Sequence, residues 1–362
     1  MKILKDPILI VVLVIFLIST ALVGKPSLND VNWNTIFSLM MLMAFVALIS
    51  EMHILDYFSN LITMKSNNSR IIIIMLVLFD YFASMFFTND VLILALIPLF
   101  IKIANQYHLK KAYPLTLLTI AANLGSSVTP IGNPQNIFLV SNYHVNVVEF
   151  FKYSYIFGII GFVFILCLSF FAESKTIFNS DKHSDIYLKP VNIFIAVALM
   201  VIVLLGIFSI INVVITLIIT ILIGCIFNYK IIYRIDYGLL LSFIGFFLIV
   251  GIFSRSVIIN SFISGLATNQ RSVFILSALT SQIISNVPAS VLIAKFSTYM
   301  PAIYYGVSVG GLGTMVASLA NLLALKQVTI YSKKDAKKFI VLFSFLNFLL
   351  LFLFIIIFYS II

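Results

Sequence analysis

Two short polar segments interrupt apolar stretches of this chain, and their residue types suit the binding of ions. They are Thr88-Asn89-Asp90 and Ser285-Asn286, the latter followed by Val287-Pro288. Amide, hydroxyl and carbonyl oxygens are the ligands that a hard cation such as Na⁺ prefers. A helix that begins at such a segment also presents free N–H groups, which suit an anion. These segments, named the first tip and the second tip, are therefore predicted to bind a cation and an anion.

A Gly-rich polar motif follows each tip in the sequence. Residues 123–136 align with residues 308–321 at a constant offset of 185 positions. The alignment matches Gly125 with Gly310, Thr129 with Thr314, and Asn136 with Asn321. Glycine permits backbone angles and close approaches that other residues do not. Because a tip precedes each motif, the chain is predicted to contain two copies of one unit.

The tips and the motifs supply the candidate site residues. The candidates for substrate binding are Thr88, Asn89, Asp90, Ser126, Ser127, Thr129, Asn133, Ser285, Asn286, Gly311, Thr314 and Asn321. The candidates for holding a coupling ion are Asn89, Asp90, Gly125, Asn136, Asn286 and Gly310. Small and polar residues also let membrane helices pack closely. That alternative is open for each residue alone, but it explains two matched sets poorly.

Two acidic residues lie deep in apolar sequence, Asp90 at the first tip and Asp80 ten positions earlier. Ionisable residues at membrane depth are functional candidates by default, and burial favours the neutral form of a carboxyl group. Both residues are therefore candidate proton carriers. The alternatives are that Asp80 pairs with a polar neighbour and that Asp90 caps the following helix. Val287 occupies the matching position of the second tip, so carboxylate chemistry is predicted at the first tip alone.

The composition predicts an all-α integral membrane protein. Of 362 residues, 62% are hydrophobic and 9% are charged, and the mean hydropathy is +1.18. Soluble domains carry about a quarter charged residues. About 20 residues per crossing leave no room for a soluble catalytic domain. The formal charge of +10 lies mostly in loops between apolar runs, where it sets orientation, so no nucleic-acid partner is predicted.

No metal site or cofactor is predicted beyond the coupling ion. Cys167 and Cys225 both lie inside apolar runs, a position typical of packing residues. The four histidines are scattered in loops or at their edges and are predicted to be solvated. They are His53, His108, His144 and His183.

Apolar runs predict seven membrane-spanning helices, at residues 7–23, 34–50, 152–172, 190–207, 209–228, 237–253 and 338–359. Four less regular regions lie between them. We predict that 70–105 and 272–300 are hairpins that return to their starting side, and that 112–142 and 302–325 are broken helices that cross once. Nine crossings result. Residues 51–65 are predicted to lie on the inner membrane surface.

The distribution of basic residues predicts the orientation. With the N-terminus in the cytoplasm and the C-terminus outside, 17 of the 22 Lys and Arg residues fall on the inner side. This excess agrees with the rule that cytoplasmic loops are positively charged. The stretch 7–23 is longer than a usual signal core, so we predict a retained first helix.

The second copy is predicted to be inverted in the membrane. Five crossings separate the two hairpins, and an odd number reverses the second copy. Lys295 comes nine residues after Asn286, so the returning arm of hairpin 272–300 spans roughly 14 Å, about half the hydrocarbon core. The predicted divisions are a first repeat, 1–172, a cytoplasmic linker, 173–189, and a second repeat, 190–362. Inverted repeats with interrupted helices are typical of secondary transporters.

At these motifs the chain resembles the ion transporter superfamily, and most closely its arsenite permease and citrate-permease-like branch. The resemblance rests on Thr88-Asn89-Asp90, on the Thr129-Pro-Ile-Gly-Asn-Pro134 loop, on Ser285-Asn286-Val287-Pro288 and on 310–321. It implies a bacterial cell-membrane protein in which two hairpins and two broken helices enclose one substrate site, with cation sites beside Asn89 and Asn286. It also implies an elevator movement against a scaffold that dimerises.

Departures from the family pattern bear on the substrate. Members that carry dicarboxylates with sodium have Thr after the tip asparagine, where this chain has Asp90 and Val287. Arsenite-type members carry Asn-Asp, which favours proton coupling. This chain is about one helix shorter than a typical arsenite permease.

The sequence thus favours a secondary transporter, coupled to H⁺ or Na⁺, for a small anion or a metalloid oxyanion that is arsenite-like or a carboxylate. A Na⁺/H⁺ antiporter that uses Asp90 is an alternative. An intramembrane enzyme would need a nucleophile with a base, or a metal triad, at membrane depth, and no histidine lies there. A membrane scaffold would not require matched Gly-rich breaks.

Overall fold

A computed structural model describes residues 7–54, 57, 68–176 and 189–362. Within these ranges the chain is all-helical, with no β-strand. The helices of the first half are α1 (Pro7–Leu22), α2 (Trp33–Glu51), α3 (Ser69–Ala83), α4 (Asn89–Gln106), α5 (Ala112–Ser126), α6 (Pro134–Tyr143) and α7 (Val147–Ser169). Those of the second half are α8 (Pro190–Ile207), α9 (Val213–Phe227), α10 (Tyr237–Arg255), α11 (Val257–Leu266), α12 (Gln270–Ile284), α13 (Asn286–Ala294), α14 (Met300–Gly310), α15 (Leu319–Tyr331) and α16 (Lys333–Ile361).

Six helices within the described ranges are long and apolar enough to cross a membrane: α2, α4, α7, α8, α10 and α16. Most of their outward residues are large hydrophobic side chains, as lipid contact requires. Because every backbone polar group in lipid must be satisfied within the protein, continuous helices are the expected spanning form. The composition and this helical fold agree in indicating a membrane protein.

Each of the four irregular regions consists of two helices, and each interruption lies at the predicted polar residues. The pairs are α3 with α4, α5 with α6, α12 with α13, and α14 with α15. Local chemistry explains the restarts. Asn133 caps α6 by accepting a hydrogen bond from the Asn136 N–H at 3.1 Å, and Pro134 occupies the first helical position, where its missing N–H has no effect.

The returning helices of the two predicted hairpins differ in length. Helix α13 has nine residues and ends at Ala294, one position before Lys295, as the sequence predicted. At 1.5 Å per residue it spans about 14 Å. Helix α4 has 18 residues despite Pro98 in its interior, so it is long enough to cross a bilayer. The two predicted hairpins thus have similar polar tips but returning helices of different length.

Several helix bounds differ from the sequence predictions. Helix α7 begins at Val147 rather than 152, because Asn146 caps it and Glu149 stabilises its first turn. Helix α16 begins at Lys333 rather than 338, since Ser332 caps a charged first turn that a search for uncharged runs excludes. Helix α11 was not predicted, because ten residues are too few to cross a membrane. Its exposed face carries Val257, Ile258 and Phe262.

Helix packing divides the described elements into two groups. Helices α1, α2, α8, α9 and α10 pack mainly on one another, and we call them the outer group. Helices α3 to α7 and α12 to α16 form the inner group. Within it, α4 packs on α15, and α6 packs on α13 and α14, so the two sequence halves interlock. The two groups meet where α6 contacts α2 and α8, and where α13 contacts α10.

Two sequence predictions concern residues outside the described ranges. The surface stretch 51–65 overlaps the described chain only at residues 51–54 and 57, and α2 ends at Glu51. The linker 173–189 is described only at residues 173–176 and at 189. The division of the chain into repeats at these positions stays a prediction.

Candidate functional site

The first tip begins α4 and is held against the break between α5 and α6. The Asn89 backbone N–H donates to the Gly132 carbonyl oxygen at 3.3 Å, and the Asn89 side-chain amide donates to Asn123 Oδ1 at 3.3 Å. Asn89 Oδ1 accepts from the Asp90 N–H at 3.0 Å. Asp90 Oδ1 is buried and has no hydrogen-bond partner, so the carboxyl group is not used as a helix cap. A buried acceptor with no partner is costly unless it binds something else.

The second tip begins α13 at a strained residue. Ser285 has φ of +75° and ψ of 153°, a region that is essentially restricted to glycine. Two backbone hydrogen bonds hold it, from its own N–H to the Ser281 oxygen and from the Ala289 N–H to its carbonyl, both at 3.1 Å. The side chain of Asn286 is buried at the same point. Strain of this kind concentrates at binding sites and switch regions.

Both tips line one cavity of about 520 Å³. The first tip contributes Asn89 and Asp90, and the second contributes Ser285 and Asn286. These residues are almost 200 positions apart in sequence, and the packing of α4 on α15 and of α13 on α6 brings them together. The first-tip carboxyl group and the second-tip amide therefore share a single space.

Matched hydrogen bonds shape the two breaks. The Asn136 side-chain amide donates to the Thr129 carbonyl oxygen at 2.8 Å, and the Asn321 amide donates to the Thr314 carbonyl oxygen at 3.1 Å. In each half the donor lies seven residues after the acceptor. An asparagine thus satisfies a carbonyl group that the broken helix leaves without a helical partner.

A second pair of matched bonds ties each break to its hairpin. The Thr129 hydroxyl donates to the Met85 carbonyl oxygen, and the Thr314 hydroxyl donates to the Gln282 carbonyl oxygen. Met85 precedes Gln282 by 197 positions, the same offset that separates the tip residues Asn89 and Asn286. The two halves therefore make the same cross-links at equivalent positions.

Asn123 joins the two halves at the centre of the site. Its amide donates to Asn321 Oδ1 at 2.7 Å, and its Oδ1 accepts from Asn89 and, at 2.9 Å, from the Ser318 hydroxyl. All four residues are buried. A fully partnered polar network in a low-dielectric interior fixes one arrangement of the groups it joins.

The predicted site residues fall into two sets. Asn89, Asp90, Ser285 and Asn286 line the cavity. A second set makes side-chain hydrogen bonds within and around the breaks: Ser126, Ser127, Thr129, Asn133, Asn136, Thr314 and Asn321. Asn136 bonds only through its amide nitrogen, and its buried Oδ1 has no partner. A Cβ atom added at Gly125, Gly310 or Gly311 would come within 3.0 Å of a neighbouring atom, so these glycines allow close packing. Thr88 directly precedes α4, and its side chain makes no capping hydrogen bond.

Sequence reasoning missed three polar residues of this region. Asn123 and Ser318 belong to the two motifs but have no predicted role as a bridge, and Gln282 lies outside both motifs. Gln282 Nε2 donates to the carbonyl oxygens of Gly310 and Leu312, and its Oε1 accepts from the Thr314 N–H. The available signal was an amide side chain three residues before Ser285, the first residue of the second tip.

Asp80 lies inside α3 and does not line the cavity. It is fully buried, and its Oδ1 accepts from the Ser84 hydroxyl at 3.2 Å, whereas Oδ2 has no partner. The pairing with a polar neighbour is the alternative that the sequence left open. Within the described ranges there is no group of three or more His, Cys, Asp or Glu residues that could hold a metal ion.

The buried amide of Asn321 predicts a large loss of stability on substitution. Asn321→Leu removes a bond to Asn123 and leaves the Gly311 and Thr314 carbonyl oxygens without that donor. Each buried group left unpaired costs about 1–3 kcal/mol, so we expect a clearly lower melting temperature in detergent. Thr329→Val, on the exposed side of the same helix, is the control and should melt like the wild type. If both variants had the same melting temperature, the hydrogen bonds of Asn321 would not contribute to the stability of the protein.

Comparison with known protein families shows which family the chain belongs to. The citrate transporter family matches residues 2–297, which is most of the chain and includes both tips. The chain belongs to this family. The family resemblance predicted from the tips and the Gly-rich motifs is confirmed.

Relatives of this member of the citrate transporter family are also transporters. An uncharacterized transporter of Methanocaldococcus jannaschii is 37% identical over 301 residues, which cover 82% of this chain and 81% of that protein. A Dictyostelium discoideum transporter named arsB is 29% identical over 153 residues, 42% of this chain and 27% of that protein. A silicon efflux transporter of Oryza sativa is 31% identical over 94 residues, 26% of this chain and 19% of that protein.

This citrate transporter family member is thus a multi-pass membrane transporter of the type to which arsB belongs. The relatives are transporters rather than enzymes.

Proposed function

We propose that this chain is a secondary active transporter that moves a small anion or a metalloid oxyanion across the cell membrane, coupled to H⁺ or Na⁺. The shared cavity carries the proposal, because both tips contribute polar groups to one space of about 520 Å³. The helix start at Asn286 supplies N–H groups for an anion, and nearby amide oxygens suit a cation.

Asp90 is the residue we assign to the coupling ion. Its Oδ1 is buried in the cavity without a partner, so a proton or Na⁺ there would compensate a charge that is otherwise costly. Asp80 is the weaker candidate, since it lies outside the cavity and already accepts a hydrogen bond from Ser84.

An inverted repeat is the architecture that we propose. Support comes from the matched bonds at the two breaks and from the matched packing, in which α3 contacts α5 as α12 contacts α14, and α5 contacts α7 as α14 contacts α16. The nine-residue α13 supports a hairpin that ends at mid-membrane. Nine crossings, two hairpins and two broken helices follow from this arrangement.

An elevator movement is the mechanism that we propose. The tips and breaks all belong to the inner group, and the outer group packs largely on itself, so the inner group could slide as one body. The interlocked halves and the Asn123 bridge favour movement of the whole inner group over movement of one half. By the family resemblance, the outer group would also form the contact of a homodimer.

We propose a cytoplasmic N-terminus and an external C-terminus. The excess of basic residues on one side supports this orientation. In a variant with Cys167 and Cys225 replaced by Ser, Lys334→Cys should react with a membrane-impermeant maleimide only after the cytoplasmic face is exposed, whereas Lys25→Cys should react in intact cells. The reverse labelling pattern would overturn the orientation.

Uptake into proteoliposomes tests the proposed function. Arsenite, silicic acid and labelled carboxylates would be offered under an imposed H⁺ gradient and, separately, an imposed Na⁺ gradient, with empty liposomes as the control. The relatives named for arsB and for silicon efflux make metalloids the first candidates. Accumulation driven by one gradient is expected. Exchange of Na⁺ for H⁺ without any substrate would instead favour an antiporter, and no flux under any gradient would contradict the proposal.

A further inference from the structure

The side-chain amide of Gln282 lies among backbone carbonyl oxygens at the second break. Its Nε2 donates to the carbonyl oxygens of Ala278 at 3.2 Å, of Gly310 at 2.8 Å and of Leu312 at 3.1 Å. Its Oε1 accepts from the Thr314 N–H at 2.9 Å. Carbonyl oxygens that converge on one point are the ligands that a hard cation such as Na⁺ prefers. At this point an amide nitrogen stands where a cation could bind.

The first half has no donor at the matching position. Met85 corresponds to Gln282 at the offset of 197 that relates the tips, and a thioether has no hydrogen to donate. Both residues occupy the same place in their halves, because the backbone carbonyl oxygen of each accepts from the threonine hydroxyl of its break, Thr129 or Thr314. The second half alone inserts an amide among its carbonyl oxygens.

The matched asparagines of the two breaks also differ in their acceptors. Asn321 Oδ1 accepts a hydrogen bond from the Asn123 amide at 2.7 Å. Asn136 Oδ1 is buried and has no hydrogen-bond partner, although the Asn136 nitrogen donates to a carbonyl oxygen as the Asn321 nitrogen does. A buried acceptor without a partner is costly unless it binds something else. The first break therefore keeps an open acceptor that the second break has filled.

The tips show the same difference. Asp90 Oδ1 is buried without a partner at the first tip, whereas the side chain of Val287 at the matching position of the second tip has no oxygen. Within the described residues 282–288 and 310–321, no buried side-chain oxygen or nitrogen lacks a hydrogen-bond partner. Open acceptors thus occur at the tip and break of the first half and are closed at those of the second.

We propose that Gln282 takes the place of a cation at the second break, so that the chain holds its coupling cation in the first half only. The Gln282 amide satisfies the carbonyl oxygens that a cation would otherwise bind, and Asp90 and Asn136 supply the open acceptors of the first half. This inference rests on the proposed function and specifies where its coupling ion binds. Of the two cation sites that the family resemblance implies, only the one beside Asn89 is present on this view.

Equilibrium binding of radioactive Na⁺ to the purified full-length protein in detergent tests the inference. The wild type should bind one Na⁺ per chain if Na⁺ is the coupling ion and none if H⁺ is. Gln282→Glu should bind one Na⁺ more than the wild type at alkaline pH, because it removes the amide hydrogens and adds a carboxylate beside the same carbonyl oxygens. Gln270→Glu makes the same change at an exposed position of the same helix and should bind Na⁺ like the wild type.

Several results would overturn the inference. A second Na⁺ in the wild type would do so even if Gln282→Glu did not fold. An unchanged count in folded Gln282→Glu, or an equal rise in Gln270→Glu, would show that position 282 does not stand in for a cation. Where the wild type binds one Na⁺, Asp90→Asn should abolish that binding, and persistent binding would place the ion elsewhere.

Flux measurements separate this inference from the proposed function. Gradient-driven uptake by a wild type that binds two Na⁺ would overturn the inference and leave the proposed function standing. Absence of flux under any gradient would contradict the proposed function, whatever number of Na⁺ ions the protein binds.

Discussion

Asp90→Asn is expected to abolish gradient-driven accumulation of substrate while leaving exchange of substrate across the membrane intact. Asparagine has nearly the size of a protonated aspartic acid but cannot release a proton or neutralise Na⁺. The variant should therefore behave as a permanently loaded carrier. We expect driven uptake to fall by at least about tenfold, because the buried carboxyl group is the charged group of the cavity. Uptake and counterflow in proteoliposomes would be measured on the same preparation.

Asp335→Asn is the control for Asp90→Asn. Asp335 pairs with Lys111 at 3.0 Å at the start of α16, outside the cavity, and both side chains are partly exposed. A partly exposed ion pair contributes little, so driven uptake should stay close to that of the wild type. The assignment of Asp90 is wrong if its asparagine variant accumulates substrate at the wild-type rate under the same gradient.

Gly125→Ala is expected to cause the largest loss of stability among single-methyl additions. An added Cβ atom would lie 2.0 Å from the Tyr81 carbonyl oxygen, so α3 and α5 would have to separate. Overpacking costs about 1–3 kcal/mol when side chains can adjust, and the obstacle here is backbone, so about 3 kcal/mol or more is expected. A much lower melting temperature in detergent, with loss of the folded species on size-exclusion chromatography, would be the measured result.

Gly265→Ala provides the matched control for this substitution. Gly265 lies in α11 with no atom within 4 Å of an added Cβ. Alanine is favoured over glycine in a helix by about 0.5–1 kcal/mol, so this variant should melt at or slightly above the wild-type temperature. Similar melting of the two alanine variants would mean that α3 and α5 do not approach as closely as their contact at Gly125 indicates.

The interruptions of the helices could be predicted because they are encoded locally. Pro134, Pro288 and the glycines near 125 and 310 prevent continuous helix, and asparagines supply caps. The position of Lys295, nine residues after Asn286, indicated a short returning arm, and α13 has nine residues. The tips and the two repeated motifs also carried the resemblance to the family, which the family match over residues 2–297 confirms.

The partners of the polar groups could not be predicted in the same way. Asn123 joins Asn321 across 198 positions, and that choice depends on how α4, α5 and α15 pack rather than on spacing. The sequence treats every polar residue of a motif as a ligand, whereas packing turns Ser126, Thr129 and Asn133 into supports of the breaks. The contribution of α1 and α10 to the lining of the cavity was also beyond prediction, because both have the sequence of ordinary lipid-facing helices.

The Asn123 bridge also constrains how the chain can be made. Asn321 is synthesised more than two hundred residues after Asn89, which corresponds to roughly 10 to 50 seconds at the usual rate of translation. During that time the first tip enters the bilayer without the amide network that later surrounds it. The nascent chain must keep this polar end hydrated or shielded by the insertion machinery until α15 emerges from the ribosome. Biogenesis of this protein is therefore expected to depend on late assembly rather than on helix-by-helix completion.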